Sequence, residues 1–215
     1  MTNITARNGG RMKPYKTALA TLGGVIVVIL VASILSFRLT MVWLQDSDGI
    51  FDEFYTTQTQ WRYSDEVGAL DAAPVSRARV AIGGPLGLSS KEVIYFITTE
   101  DTDGERLVSG CDYQMSGRDI DSRWWSVTLY DSTTSNYVPN IDNRSSWHSE
   151  ALPFNRSNEW SLIISPDQKP SPWLPSQTGA STPFDLVLRL YNPSAQTRAD
   201  VPDITLPVIE KISCR

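Results

Sequence analysis

Chemistry in this 215-residue chain has few places to come from. His148 is the single histidine, which rules out a multi-histidine metal site and leaves at most one triad candidate. It stands in a polar stretch, and a surface histidine is expected there. No serine has a nucleophile-elbow context, no Gly-rich phosphate loop is present, and neither cysteine resembles an activated thiolate. No cofactor is therefore expected. Carboxylates are more plentiful. Asp119, Asp121, Asp131 and Asp142 flank the stretch Arg123–Asp131, and two carboxyls about 5–9 Å apart are what glycoside hydrolysis needs. That leaves an enzyme reading open: a hydrolase acting on glycan or lipid-linked envelope material through paired carboxylates. Asp101-x-Asp103-Gly104 has the start of a calcium loop but lacks the third acid and the downstream Glu, so a hairpin turn is the expectation.

A different set points to binding. Trp124, Tyr130, Trp173, Arg189 and Tyr191 combine flat rings with a guanidinium, chemistry that suits sugar faces or extended peptide. Trp124 and Tyr130 share a side by alternation, as do Arg189 and Tyr191. The plainer reading, and the favoured one, is a sandwich edge with Arg stacked on Trp or paired with an acid such as Asp131.

These residues are positioned by strands. Arg123–Asp131 alternates Trp125, Val127 and Leu129 against Trp124, Ser126, Thr128 and Tyr130, the period of a pleated strand. Adjacent tryptophans point to opposite faces, so neither face is fully solvated, and this strand is expected at the centre of a sheet. Phe184–Tyr191 alternates Phe184, Leu186, Leu188 and Leu190 against Asp185, Val187, Arg189 and Tyr191. Further strands are expected at Val75–Ile82, Val93–Thr99, Arg106–Met115, Ser157–Ser165 and Leu206–Ile212. Asp103-Gly104 is read as joining Val93–Thr99 to Arg106–Met115 as a hairpin, Ser89 and Glu92 as bounding one short helical turn, and Pro166–Pro183 as a long loop. Short strands, turn residues between them and almost no helix predict an all-β, antiparallel sandwich.

The N-terminus is of another kind. Thr17–Phe37 holds no charged residue and is long enough to span a bilayer as a helix. Arg7, Arg11, Lys13 and Lys16 precede it and every acid follows it, which places the N-terminus in the cytoplasm and exports the rest. The apolar run exceeds a usual signal-peptide core, so an uncleaved signal anchor is favoured. The organisation read from the sequence is a basic cytoplasmic tail over 1–16, a transmembrane anchor over 17–37, a juxtamembrane connector over 38–60 with helical spacing of Phe51, Phe54 and Tyr55, and an exported β-sandwich over 61–215. Beyond residue 38, 14 basic residues face 24 acidic ones, a net charge of −10 that disfavours nucleic acid as a partner. Cys111 and Cys214 both lie in the exported part, where an oxidising compartment lets them pair.

The order of several motifs resembles one family. Arg77-Ala78-Arg79-Val80-Ala81, Glu92-Val93-Ile94-Tyr95-Phe96, Asp103-Gly104, Trp124 through Asp131, Pro139-Asn140, Asn143-Arg144, Trp173-Leu174-Pro175 and Leu188-Arg189-Leu190-Tyr191-Asn192-Pro193 are similar to the domain of unknown function 1214. That family occurs alone behind a membrane anchor in some bacterial proteins and as the C-terminal half of longer exported proteins. The resemblance runs from Trp61 to the C-terminus and implies a jelly-roll-like β-sandwich in a bacterial envelope, here the periplasmic side of the inner membrane. It implies no catalytic residue. The expected partners are the membrane and an envelope glycan or protein.

Overall fold

Alternation along Phe184–Pro193 decides the layers of the molecule. Phe184, Leu186, Leu188 and Leu190 are almost wholly buried between two sheets, while Asp185, Arg189 and Tyr191 stand half-buried on the outer side. The computed structural model describes residues 14–45, 55–64, 67–83, 87–177 and 181–215. The chain divides into two compact units between Trp43 and Leu44.

The first unit is a helix, α1 (Pro14–Gln45), which continues past Phe37. Its stretch Ala18–Leu44 is 27 residues long with a mean hydropathy of 2.7, and large apolar side chains from Leu19 to Val42 are exposed. A helix of this length with no polar face is long enough to cross a bilayer.

The second unit is a two-sheet sandwich. Its elements are β1 (Tyr55–Thr56), β2 (Arg62–Ser64), α2 (Pro74–Gly83), β3 (Val93–Thr98), β4 (Cys111–Arg118), β5 (Ser122–Asp131), β6 (Ser146–His148), β7 (Glu159–Ser165), β8 (Trp173–Pro175), β9 (Phe184–Pro193), α3 (Ala195–Ala199) and β10 (Val208–Cys214). One sheet has the order β1-β2-β3-β9-β5-β6 and the other β10-β4-β7-β8, antiparallel throughout except for the parallel pair β7 and β8. Trp125, Val127 and Leu129 from the first sheet meet Tyr113, Met115, Trp160, Leu162, Ile164, Leu174 and Ile209 from the second in one core. Burial of each such side chain contributes about 1.5–3 kcal/mol.

The strand expected to be central, β5, lies between β9 and the three-residue β6, and the middle of its sheet is β3 and β9. Paired tryptophans demand cover on both faces, and any interior strand supplies that. The expected strand over Val75–Ile82 is the helix α2. Pro74 suits a first helical position, Ala and Arg are strong helix formers, and Ser76 and Arg79, three apart, are the buried pair. Val93–Thr99 and Arg106–Met115 meet only in a tight local turn, with Gly104 at φ 80° and Asp101 N–H donating to the Glu105 carbonyl at 2.8 Å. Beyond that turn β3 and β4 enter different sheets, because each has a stronger partner there: β3 pairs β9 over six residues and β4 pairs β7 over six. The Pro166–Pro183 loop contains β8, and a single turn at Ser89 is closed by Val93 N–H to the Ser89 carbonyl at 3.0 Å. Phe51 and Phe54 lie outside the described residues, and Tyr55 belongs to β1.

Cys111 and Cys214 sit opposite each other on β4 and β10 and form a disulfide with a Cα separation of 4.1 Å. The outer edge of β10 is covered in part by Thr102, whose N–H and hydroxyl both donate to the Ile209 carbonyl at 2.8 Å. Blocking an edge in this way removes a template for pairing with other chains.

Candidate binding face

Register places the candidate residues before any side chain is considered. On the six-stranded sheet Tyr95 of β3 lies opposite Arg189 of β9, Arg189 opposite Ser126 of β5, and Ser126 opposite His148 of β6. Trp124 lies opposite Tyr191 one repeat along. All of these are on the outer side, because their neighbours Trp125, Val127, Leu188 and Leu190 fill the core. Trp124, Tyr130, Arg189 and Tyr191 therefore share one face. Trp173 does not join them. It is on β8 of the other sheet, 6% exposed, with its indole N–H donating to the Ser165 carbonyl at 2.9 Å and its own carbonyl accepting from Trp147 Nε1 at 2.8 Å.

Arg189 organises the centre of the face. One terminal nitrogen donates to Thr128 Oγ1 at 3.2 Å and the other to Tyr130 Oη at 2.9 Å. Its guanidinium carbon lies 5.7 Å from the Tyr95 ring centre and 5.4 Å from that of Tyr130, cation–π distances. Burial pushes the Tyr95 phenol up, against the opposing pull of the Leu88 N–H and Arg189, and burial likewise raises Tyr130 against Arg189. Both stay protonated at neutral pH. The expected partner Asp131 is engaged elsewhere, its Oδ1 accepting from the N–H groups of Thr133 and Thr134 at 2.9 and 2.8 Å.

Trp124 packs edge-on to Tyr191 at 4.9 Å and against His148 at 5.3 Å, and Tyr130 stacks on Tyr137 at 5.2 Å. His148 is thus half-buried in a strand and not a loop histidine, and its Nδ1 is buried with no hydrogen-bond partner among the described residues. The polar flanks of β6 hide this, since only pairing with β5 brings His148 onto the face. Val67 and Val80, from the segment that carries α2, cover part of the same face by packing on Val93, Tyr95 and Val187. Leu88 N–H donates to Tyr95 Oη at 2.9 Å. Tyr95, Thr128 and Tyr137 are members that sequence patterning alone does not single out.

Asp185 lies opposite Tyr130, accepting from Ser132 Oγ at 2.5 Å and Arg106 at 3.0 Å. Burial raises its carboxyl above the usual range despite the Ser132 hydrogen bond and the Arg106 charge. Three of the four carboxylates that suggested hydrolysis are held locally, while at Asp121 it is the backbone carbonyl that is engaged. Asp119 accepts from Trp125 Nε1 at 2.8 Å, Asp142 from Arg144 at 3.1 Å, Asp131 caps its turn, and the Asp121 carbonyl accepts from Thr197 Oγ1 at 2.8 Å. Among the described residues no group of three or more His, Cys, Asp or Glu is placed to hold a metal ion. A separate open cleft of about 640 Å³ lies at the four-stranded sheet, where Ser116, Arg118, Phe154, Glu159, Trp160 and Ser161 line it.

No curated protein matches the chain. Among solved structures, a protein from Vibrio parahaemolyticus is similar at 22% identity with a TM-score of 0.53, covering 66% of this chain and 36% of its own length. This chain thus spans about a third of that protein, and the likeness supports the fold alone. An uncharacterised protein from Burkholderia cenocepacia matches at 13% identity with a TM-score of 0.38, over 58% of this chain and 30% of that one. The family model described as "Protein of unknown function (DUF1214)" matches residues 92–195, a span that runs from β3 through the whole of β9 and includes every candidate residue of the face. Over these residues the chain matches the DUF1214 family.

Proposed function

We propose that the chain is a single-pass protein of the bacterial inner membrane, N-terminus in the cytoplasm, whose periplasmic β-sandwich binds an envelope glycan or protein through the outer face of the six-stranded sheet. The observation that carries the location is the combination of an exposed apolar helix with a disulfide in the same chain. The helix needs a bilayer, and the disulfide needs an oxidising compartment. The four basic residues before the apolar run, with all 24 acids after it, support the orientation. The binding role is supported by a face that carries two tyrosines, a tryptophan and a guanidinium where a purely structural sheet needs only apolar or charged cover.

The test is site-specific crosslinking in intact cells. A photoreactive side chain at Trp124 is expected to give a discrete adduct, and one at Glu210, on the other sheet, none. Equal labelling from both positions, or none from either, contradicts the reading.

A further inference from the structure

Resting on that reading of the face, we propose that Arg189 is the anchor of an anion subsite and that the ligand is a saccharide bearing a carboxylate or phosphate. Arg189 carries a fixed positive charge in the interior of the sheet, half-buried and with no carboxylate within ion-pair range among the described residues. Its partners Thr128, Tyr130 and the ring of Tyr95 supply hydrogen bonds and quadrupole attraction but no formal negative charge. The acid on the same face, Asp185, is already engaged by Arg106 and Ser132. A partly desolvated charge left without a counter-ion is costly, and an incoming anion removes that cost.

The geometry also selects the anion's shape. A guanidinium has five N–H donors in a planar fork; two go to Thr128 and Tyr130, and the Tyr95 hydroxyl is a third hydrogen-bonding neighbour. The remaining donors suit the paired oxygens of a carboxylate or phosphate. One repeat along the strands, about 7 Å away, Trp124 and Tyr191 offer ring surface against which a pyranose packs. His148 lies beside Trp124, and its Nδ1 lacks a hydrogen bond among the described residues. An anion at Arg189 and a sugar ring at Trp124 fit one charged saccharide unit.

The experiment is a titration of the full chain in detergent micelles with three probes: a glucuronic-acid oligosaccharide, a sugar phosphate and a neutral oligosaccharide of the same length. The unaltered protein is expected to prefer at least one anionic probe over the neutral one by roughly tenfold or more, the scale of one charge-assisted hydrogen-bonded pair. Which anionic probe wins distinguishes carboxylate from phosphate. Arg189→Gln is expected to bring anionic and neutral probes within about twofold of each other, and Arg189→Lys to recover only part of the preference. Trp124→Ala is expected to weaken all probes together. Equal binding of anionic and neutral probes by the unaltered protein overturns the anion subsite and leaves the binding face standing. A preference that persists in a folded Arg189→Gln protein also overturns it. Binding of none of the probes, in a protein whose Trp124 gives no crosslink, removes the face and the subsite together.

Discussion

Replacing Cys111 and Cys214 with Ala tests how much of the sandwich depends on one covalent tie. The bond closes a sequence separation of 103 residues. In the chain-entropy account a loop of that size stabilises the fold by about 4.7 kcal/mol, and removal of a native disulfide generally costs about 2–5 kcal/mol. The folded state has reason to survive the loss. β10 remains paired to β4 from Val208↔Ser116 to Lys211↔Tyr113, Ile209 is wholly buried, and Thr102 holds the outer edge. The double variant should therefore fold, with fraying confined to the last residues of β10, and lose stability mainly because its unfolded chain gains freedom. Urea denaturation of the unit Leu44–Arg215 should show a loss of about 2–5 kcal/mol. A fall in midpoint temperature of roughly 5–15 °C corresponds to this for a domain of this size. Because the uncrosslinked unfolded chain is more expanded, the denaturant slope should rise as well. A loss below about 1 kcal/mol with an unchanged slope refutes the reasoning. So does alkylation of both thiols in native protein that was never reduced.

Other predictions concern the outer face and its supports. Gly68 has φ +75°, and a Cβ there meets the Leu88 carbonyl oxygen at 1.8 Å, so Gly68→Ala should destabilise by about 2 kcal/mol or more. Hydrogen exchange should show the Leu88 and Ser90 amides losing protection first, since Ser90 N–H donates to the Gly68 carbonyl and Leu88 N–H to Tyr95. Two acids should act on pH dependence with opposite signs. Asp185 is raised by burial, so the folded state holds its proton more tightly; its contribution favours folding at low pH and is lost as pH rises from about 4 through the raised value. Asp112 is opposed by burial, but hydrogen bonds from Lys169 and Ser165 outweigh it and lower the carboxyl; its contribution is present above about pH 4 and is lost as pH falls. Urea titrations across pH 3–7 with Asp185→Asn and Asp112→Asn should flatten these two limbs separately, and an effect of the same sign from both variants contradicts the assignment.

Alternation is legible in a sequence wherever both halves of the period are chemically distinct. Phe184–Tyr191 and Trp124–Tyr130 meet that condition, and their inner residues are the core of the molecule. Val75–Ile82 does not: small, aliphatic and basic residues alternate there by chance, and Pro74 with a buried Ser76 and Arg79 makes a helix of it. Pairing is a property of the whole fold, so Asp103-Gly104 announces a turn without saying that β3 and β4 part into different sheets. The candidate face follows the same division. Trp124, Tyr130, Arg189 and Tyr191 come together because each lies on a strand whose phase is readable, and β5 and β9 happen to be neighbours. Trp173 is isolated from them by β8, a three-residue strand within a proline-rich loop. Tyr95 and His148 reach the face only through register, which neither β3's apolar run nor the polar surroundings of β6 encodes.

The central claim is that the sandwich stands on the far side of a membrane from the N-terminus, and protease accessibility tests it most directly. Cells carrying one tag before Arg7 and another after Arg215 are opened at the outer envelope only, leaving the inner membrane sealed, and treated with protease. The account predicts loss of the C-terminal tag and of the sandwich epitope, with the N-terminal tag protected until the inner membrane is broken. Protection of the C-terminal tag in sealed spheroplasts, or release of the intact chain into the soluble fraction, contradicts it.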